Sequence, residues 1–236
     1  MRHIAKGPEP AALRDWKAQA NEDWQPSWAT LQNPEKQAVR QALLAEQGYL
    51  CAYCCQGVEY ETSHIDHVEP GRSPGNPRAL DYANMVASCP GEPEEGEDYA
   101  ADTRRPPELI HCGHAKGEWH DPARFVDPRD PACERAFTFT TTGRIRDADT
   151  APAPEAAQET INRLNLDCNP LGRQRKAAID TELDRLAAML ASRGTLSRTD
   201  VTTRIDRLRQ PDADDRFVPF MPAILDILEQ RARTLP

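Results

Sequence analysis

The feature that most constrains this chain is where its metal-ligating side chains fall. Of seven cysteines in 236 residues, Cys51, Cys54, Cys55, Cys89 and Cys112 share one stretch, and Cys133 and Cys168 lie beyond it. His64, His67, His111, His114 and His120 belong to the same region, which leaves only His3 outside. Thiols gathered this way in a chain with no sign of export read as metal ligands or reduced side chains, not as a disulfide frame. Chemistry is therefore expected near residues 51–120, and the flanks read as structural.

Composition narrows the function classes. No apolar run approaches the roughly 20 residues that a membrane-spanning helix needs, so an integral membrane protein is excluded. The start, MRHIAKGPEPAAL, has no apolar signal-peptide core, which makes the cytoplasm the expected location. With 38 acidic and 29 basic residues the formal charge is -9, which argues against a chain that grips nucleic acid unaided by a broad basic face. The 21 prolines imply several ordered turns rather than one regular bundle.

Periodicity and punctuation place the elements. A helix is expected over Pro10 to Ala20, with Leu13 and Trp16 on one side, and a second after Asn33-Pro34, closed by Gly48. Trp24 and Trp28, in the loop between them, read as core packing. SHIDHV alternates as a short strand, and AFTFTTTGRI reads as a hairpin turning at Gly143. Residues 90–108, rich in Pro, Gly and acids, read as an exposed insertion. Helices are expected near 155–165, 170–193, 198–209 and 221–233; the second has Asn169 as cap, Gly194 as stop, and Ile179, Leu183, Leu186 and Leu190 on one apolar face. This gives a helical segment over 1–50, a central region over 51–147 and a helical region over 155–236.

Cys51 and Cys54 form a CxxC knuckle, whose spacing lets two thiolates bind one ion. A closed tetrahedral site needs two more ligands. Cys89 and Cys112 are the natural candidates, with Cys55, His111 and Cys133 as substitutes. Cys168 reads as a small buried residue. Between the two halves of this zinc site lies HIDHVEP, residues 64–70. On a strand His64 and Asp66 share a face and His67 takes the other. An adjacent acid and imidazole suit metal-assisted phosphodiester hydrolysis: Asp66 can hold a hard divalent cation, and His67 can take a proton from water near neutral pH. Asn84 can tie the loop to the strand and hold the imidazole of His67. In CGHAKG, residues 112–117, His114 and Lys116 fall near a helix start, with Lys116 read as a phosphate contact or a surface charge. The basic run Arg173, Arg175, Lys176 reads either as a nucleic-acid contact or as a solvated helix face.

CAYC, then HIDHVEP, then Asn84 and Cys89, then CGHAKG, resembles the HNH endonucleases and their ββα-metal finger. The resemblance implies strands near 63–68 and 84–88 and a helix from about 112. It implies Asp66 as metal ligand, His67 as general base, Asn84 as the orienting residue and His114 as second ligand. Gly113 stands where many members carry Asn, so His114, one position along, or another ligand such as His64 or water completes the set.

The likeness extends past the finger. MRHIAKGPEP, LLAEQGYLCAYC, DPR (127–129), FTFTTTGRI and INRLNLDCNPLGRQR (161–175) resemble the HNH nuclease component of Septu anti-phage defence systems, which also serves some retrons as an effector. That resemblance implies an SMC/ABC-like ATPase as partner and, in retrons, a reverse transcriptase with its DNA. It also implies that the unaided chain is weak or inactive. The expectation is thus a mostly α protein with an inserted zinc-stabilised ββα-metal (HNH) finger. Structural Zn2+ would sit on Cys51, Cys54, Cys89 and Cys112, and Mg2+ or Mn2+ at Asp66 and His114, for cleavage of DNA or RNA. The alternative is a zinc-held module that binds nucleic acid or protein without cutting.

Overall fold

The computed structural model describes residues 1–71, 76–91, 109–149 and 151–235. The acidic stretch 92–98 lies outside the described residues. Within them the chain is mostly helical with two small sheets. No helix among the described residues is long and apolar enough to cross a membrane.

Two helices open the chain, α1 (Ala11–Lys17) and α2 (Glu35–Glu46), and they pack on each other. The expected apolar stripe of α2 is buried through Val39, Leu43 and Leu44. Gly48 follows its last turn at φ +57°, the left-handed conformation that glycine adopts without strain. Asn33 and Pro34 precede the helix, but no side chain caps its amides.

Strands β1 (His64–His67) and β2 (Met85–Ser88) pair antiparallel, with His64 opposite Ser88 and Asp66 opposite Val86. A five-residue helix, α3 (Cys112–Lys116), follows. Strands β3 (Phe137–Phe139) and β4 (Ile145–Asp147) form the expected second hairpin, which turns through Gly143 at φ +80°.

The chain then runs through α4 (Pro154–Arg163), α5 (Asn169–Arg193), α6 (Arg198–Leu208) and α7 (Met221–Thr234). Helix α5 begins one residue earlier than its cap residue predicts: Cys168 takes the cap position and Asn169 is the first helical residue. Ser197 and Asp200 cap α6 reciprocally. Helices α5, α6 and α7 pack together, and α4 lies against β4. Ile179 and Leu186 of α5 are buried, but Leu190 is 44% exposed, because the last turns of this long helix run past the body it packs on.

The first hairpin is clamped from behind. Gln47, buried at the end of α2, receives the Ala87 amide at 2.7 Å and donates to the Ala87 carbonyl at 2.8 Å. Lys6 in the opening segment bonds Glu46 and the Met85 carbonyl, so residues 1–7 brace α2 against β2. A buried amide that satisfies both polar groups of a strand residue fixes register as well as position.

Candidate functional site

The cysteine cluster forms where the knuckle, the end of β2 and the start of α3 converge. The Sγ atoms of Cys51, Cys54, Cys89 and Cys112 all lie within 4.8 Å of one another, and all four residues are buried. Four thiolates at zinc–sulfur distances of about 2.3 Å stand roughly 3.8 Å apart at tetrahedral corners. The Cys54–Cys89 separation is 3.9 Å. The donor set is therefore one that could hold a metal such as zinc.

Backbone bonds bring the distant members together. The His111 amide donates to the Gly91 carbonyl at 3.1 Å, which closes the chain across the insertion. The Cys112 amide donates to Leu164 at 2.8 Å, and Asn165 bonds Ile110, so the end of α4 holds the start of α3. Cys112 itself has φ +58°, a left-handed conformation rare for a side-chain-bearing residue.

Of the substitutes, His111 comes nearest: its Nδ1 lies 3.2 Å from the Cys112 sulfur and 3.8 Å from that of Cys89. Burial pushes its imidazole down to about 4, so at neutral pH it stands beside the sulfurs uncharged. Burial pushes up the thiols of Cys55, to about 11, and Cys133, to about 12, and neither belongs to the cluster. Cys168 is buried, as expected.

Arg175 corrects the reading of the basic run. It is buried, and its guanidinium donates to the Leu166 and Gly143 carbonyls. It shares a small space with Tyr53, Cys54 and Cys55, where the sulfurs of Cys54 and Cys112 partly balance its charge. It therefore faces the cysteine cluster and not a nucleic acid. Lys176 remains exposed and pairs with Asp180.

Beside the cysteines, a cavity of about 120 Å³ is lined by His64, Asp66 and His67 of β1, Gly113 and His114 of α3, and neighbouring turns. Asp66 is 5% exposed and His67 only 3%. Tyr53, the second spacer residue between the knuckle cysteines, donates to Asp66 Oδ2 at 2.5 Å. Burial, and then the carboxylate beside it, push the Tyr53 phenol well above its usual range, so it stays a proton donor.

Lys116 is the second correction. It is buried, not a surface charge: its ammonium donates to the His67 carbonyl at 2.7 Å and lies 3.5 Å from Asp66 Oδ2. One cation thus fixes both members of the Asp-His pair.

His67 Nε2 lies 3.0 Å from the Ala79 carbonyl. Since a carbonyl only accepts, this nitrogen carries the proton, and the neutral ring keeps its basic lone pair on Nδ1. Trp28 stands edge-on against the imidazole, with ring centroids 4.5 Å apart. Trp28 therefore packs as expected, but on the candidate base itself.

Asn84 acts one step back from His67. Its side chain receives the Glu69 amide and donates to the carbonyls of Glu69 and Arg78. It ties the loop that carries the Ala79 carbonyl, and so positions the imidazole through the backbone.

His114 and His64 meet across the cavity with ring centroids 4.4 Å apart. Gly113 has a reason to be glycine. A Cβ there would stand 3.0 Å from His64 Nε2, 3.1 Å from Asp66 Cγ and 3.1 Å from Ser88 Oγ.

Tyr53 and Trp28 are not assigned to the site from sequence, and Lys116 is read there only as a phosphate contact or a surface charge. Tyr53 reads as a spacer and Trp28 as core. For Lys116 the signal is its place in CGHAKG near a helix start.

A cysteine cluster beside an acid-imidazole pair on a two-stranded hairpin, followed by a short helix, is an arrangement suited to metal-dependent hydrolysis. No protein-family model matches the chain. It is similar to a protein of Vibrio cholerae serotype O1 biovar El Tor named as the inferred HNH endonuclease of retron Vc95. The identity is 27% over 166 residues, covering 69% of this chain and 73% of the relative. It is equally similar, at 27% over 210 residues, to an Escherichia coli protein named as the inferred HNH endonuclease of retron Ec83, covering 75% of this chain and 78% of that one. The chain thus resembles the HNH endonucleases that accompany retrons.

Proposed function

We propose that this protein is a metal-dependent HNH endonuclease that hydrolyses nucleic-acid phosphodiester bonds. β1, β2 and α3 form its ββα finger, and Cys51, Cys54, Cys89 and Cys112 hold a structural zinc. The observation that carries this reading is the cavity where His64, Asp66 and His67 of β1 meet His114 of α3, the helix whose first residue, Cys112, belongs to the cysteine cluster.

The chemistry follows from the residues. His67 Nδ1 takes a proton from a water molecule at the cavity, and the Ala79 carbonyl keeps the ring from rotating as it becomes charged. Asp66, with its Oδ2 fixed by Tyr53 and Lys116, presents its other oxygen as a cation ligand. His114 offers an imidazole from α3 as second ligand. The donors fit a divalent ion: a carboxylate and an imidazole border the same polar cavity, which Gly113 also lines. Such an ion, Mg2+ or Mn2+, supplies stabilisation of the charge that builds on the phosphate oxygens when bound. Asn84 is a positioning residue, since it reaches His67 only through the Arg78–Ala79 backbone.

The cellular setting extends the same reading. Both relatives carry the names of retrons. With a formal charge of -9 the chain needs help to hold a polyanion. We infer that it acts in anti-phage defence in the cytoplasm, with a partner ATPase that supplies much of the substrate grip.

The test is a cleavage assay of zinc-loaded protein, alone and coexpressed with that ATPase, against plasmid DNA and total RNA with Mg2+ or Mn2+. The reading expects cleavage that needs both the divalent ion and His67. Binding indifferent to both would make the chain a zinc-held recognition module.

A further inference from the structure

We propose that His64 is a third protein ligand in this cavity, beside Asp66 and His114, and that the site is built for Mn2+ in preference to Mg2+. The inference rests on the endonuclease reading for the ion's use, but the ligand set stands on separate observations.

The first is steric. The α3 position before His114 is crowded: a Cβ there would stand 3.0–3.1 Å from His64 Nε2, Asp66 Cγ and Ser88 Oγ, closer than van der Waals contact, so a side chain fits only if those groups give way. Glycine itself offers no side-chain ligand from the helix at that point. The space is held instead by the imidazole of His64, which arrives from β1.

The second is register. His64 and Asp66 are two apart on one strand, so both project to the same face. That face meets α3, since His64 Nε2 and Asp66 Cγ both stand about 3 Å from where a Cβ on Gly113 would be. His64, Asp66 and His114 all line the same cavity of about 120 Å³. At roughly 30 Å³ for each water, that is room for an ion with a few waters or a phosphate oxygen.

The third is donor chemistry. Tyr53 and Lys116 both engage Asp66 Oδ2, so the carboxylate offers one oxygen to the cavity. Two imidazole nitrogens and one carboxylate oxygen make a nitrogen-rich set. Mg2+ favours all-oxygen octahedral surroundings and dehydrates reluctantly, whereas imidazole suits transition-metal ions. Among the described residues only the four cysteines have ligand atoms all within 4.8 Å of one another. The exposed His114 side chain must therefore swing inward as the three donors close on an ion.

The experiment measures Mn2+ and Mg2+ binding to the zinc-loaded full chain by calorimetry, with electron paramagnetic resonance of Mn2+ as a second readout. The parent protein is expected to bind Mn2+ at least tenfold more tightly than Mg2+. His64→Ala should weaken Mn2+ binding by about 10–100-fold, the usual cost of disturbing a metal's surroundings, with zinc content unchanged. His64→Asp should move the preference toward Mg2+. Should His64→Ala lose its circular dichroism, His64→Gln repeats the measurement with a side chain of similar reach.

Equal affinity for the two ions in the parent, or unchanged Mn2+ binding in a folded His64 variant, overturns the proposal. His67→Ala separates the two readings. If it still cleaves while His64→Ala loses Mn2+, the nuclease assignment falls and the ligand set stands. If it is inactive while His64→Ala binds Mn2+ normally, the ligand set falls alone.

Discussion

The phenol of Tyr53 donates a 2.5 Å hydrogen bond to Oδ2 of Asp66. This bond joins the spacer of the cysteine knuckle to the carboxylate at the heart of the cavity, so the metal-held frame and the reacting groups share one contact. Tyr53→Phe removes the donor and keeps the ring. We expect cation affinity or cleavage to fall by about 10–100-fold, as for other partners that orient a metal ligand. Zinc content should stay at the parent level, checked by elemental analysis beside the kinetics. Unchanged kinetics would mean that Lys116 alone holds Asp66.

Lys116 and Asp66 form a buried ion pair, with side chains 1% and 7% exposed. Lys116→Met strands a buried carboxylate, a change that typically destabilises by about 3–5 kcal/mol. Lys116→Met combined with Asp66→Asn leaves no uncompensated charge and should recover part of that loss. Urea unfolding of the parent, both single variants and the double variant checks the cycle. Additive losses would show that the two groups do not interact.

Gly113 tests the crowding directly. Adding one methyl group forces His64, Asp66 or Ser88 to move, and overpacking of this kind costs about 1–3 kcal/mol. Gly113→Ala should therefore melt at a lower temperature than the parent. His64→Ala in the same chain should relieve part of the loss, since it removes one of the three crowding atoms while Asp66 Cγ and Ser88 Oγ stay. A Gly113→Ala variant as stable as the parent would contradict the geometry.

The thiols divide into two sets. Burial raises Cys55 to about 11 and Cys133 to about 12, against an opposing pull from the amino terminus. The thiolate is the reactive form, so at pH 8 these groups stay protonated and resist alkylation, and they should react only as the pH climbs toward 11. Iodoacetamide at pH 8 should label neither in the native protein. A strong zinc chelator should expose Cys51, Cys54, Cys89 and Cys112 to labelling first. Mass spectrometry of the labelled peptides gives the order, and early labelling of Cys133 would contradict it.

Much of the fold was legible because its punctuation is local. Gly48 after α2, Gly194 after α5, Gly143 in the hairpin and Ser197 before α6 all act within a turn of their own position. The cysteine cluster was legible through the spacing of Cys51 and Cys54. Its closure was not, because the Gly91–His111 bond and the grip of α4 on Cys112 join residues far apart in sequence.

The residues that surround the Asp-His pair were hidden for the same reason. Tyr53, Lys116 and Trp28 reach it from three separate elements, and nothing in their neighbours announces a polar target. Arg175 was misread because a basic run looks solvated until α5 is packed, and its middle member then points inward.

The central claim is that the imidazole of residue 67 serves as the base. The measurement that tests it most directly is cleavage by zinc-loaded His67→Ala, beside the parent, in the same coexpressed complex and the same divalent ion. The account predicts a folded, zinc-containing variant whose rate is lower by about 10²–10⁴, the usual contribution of a general base. Parental cleavage by that variant would contradict it.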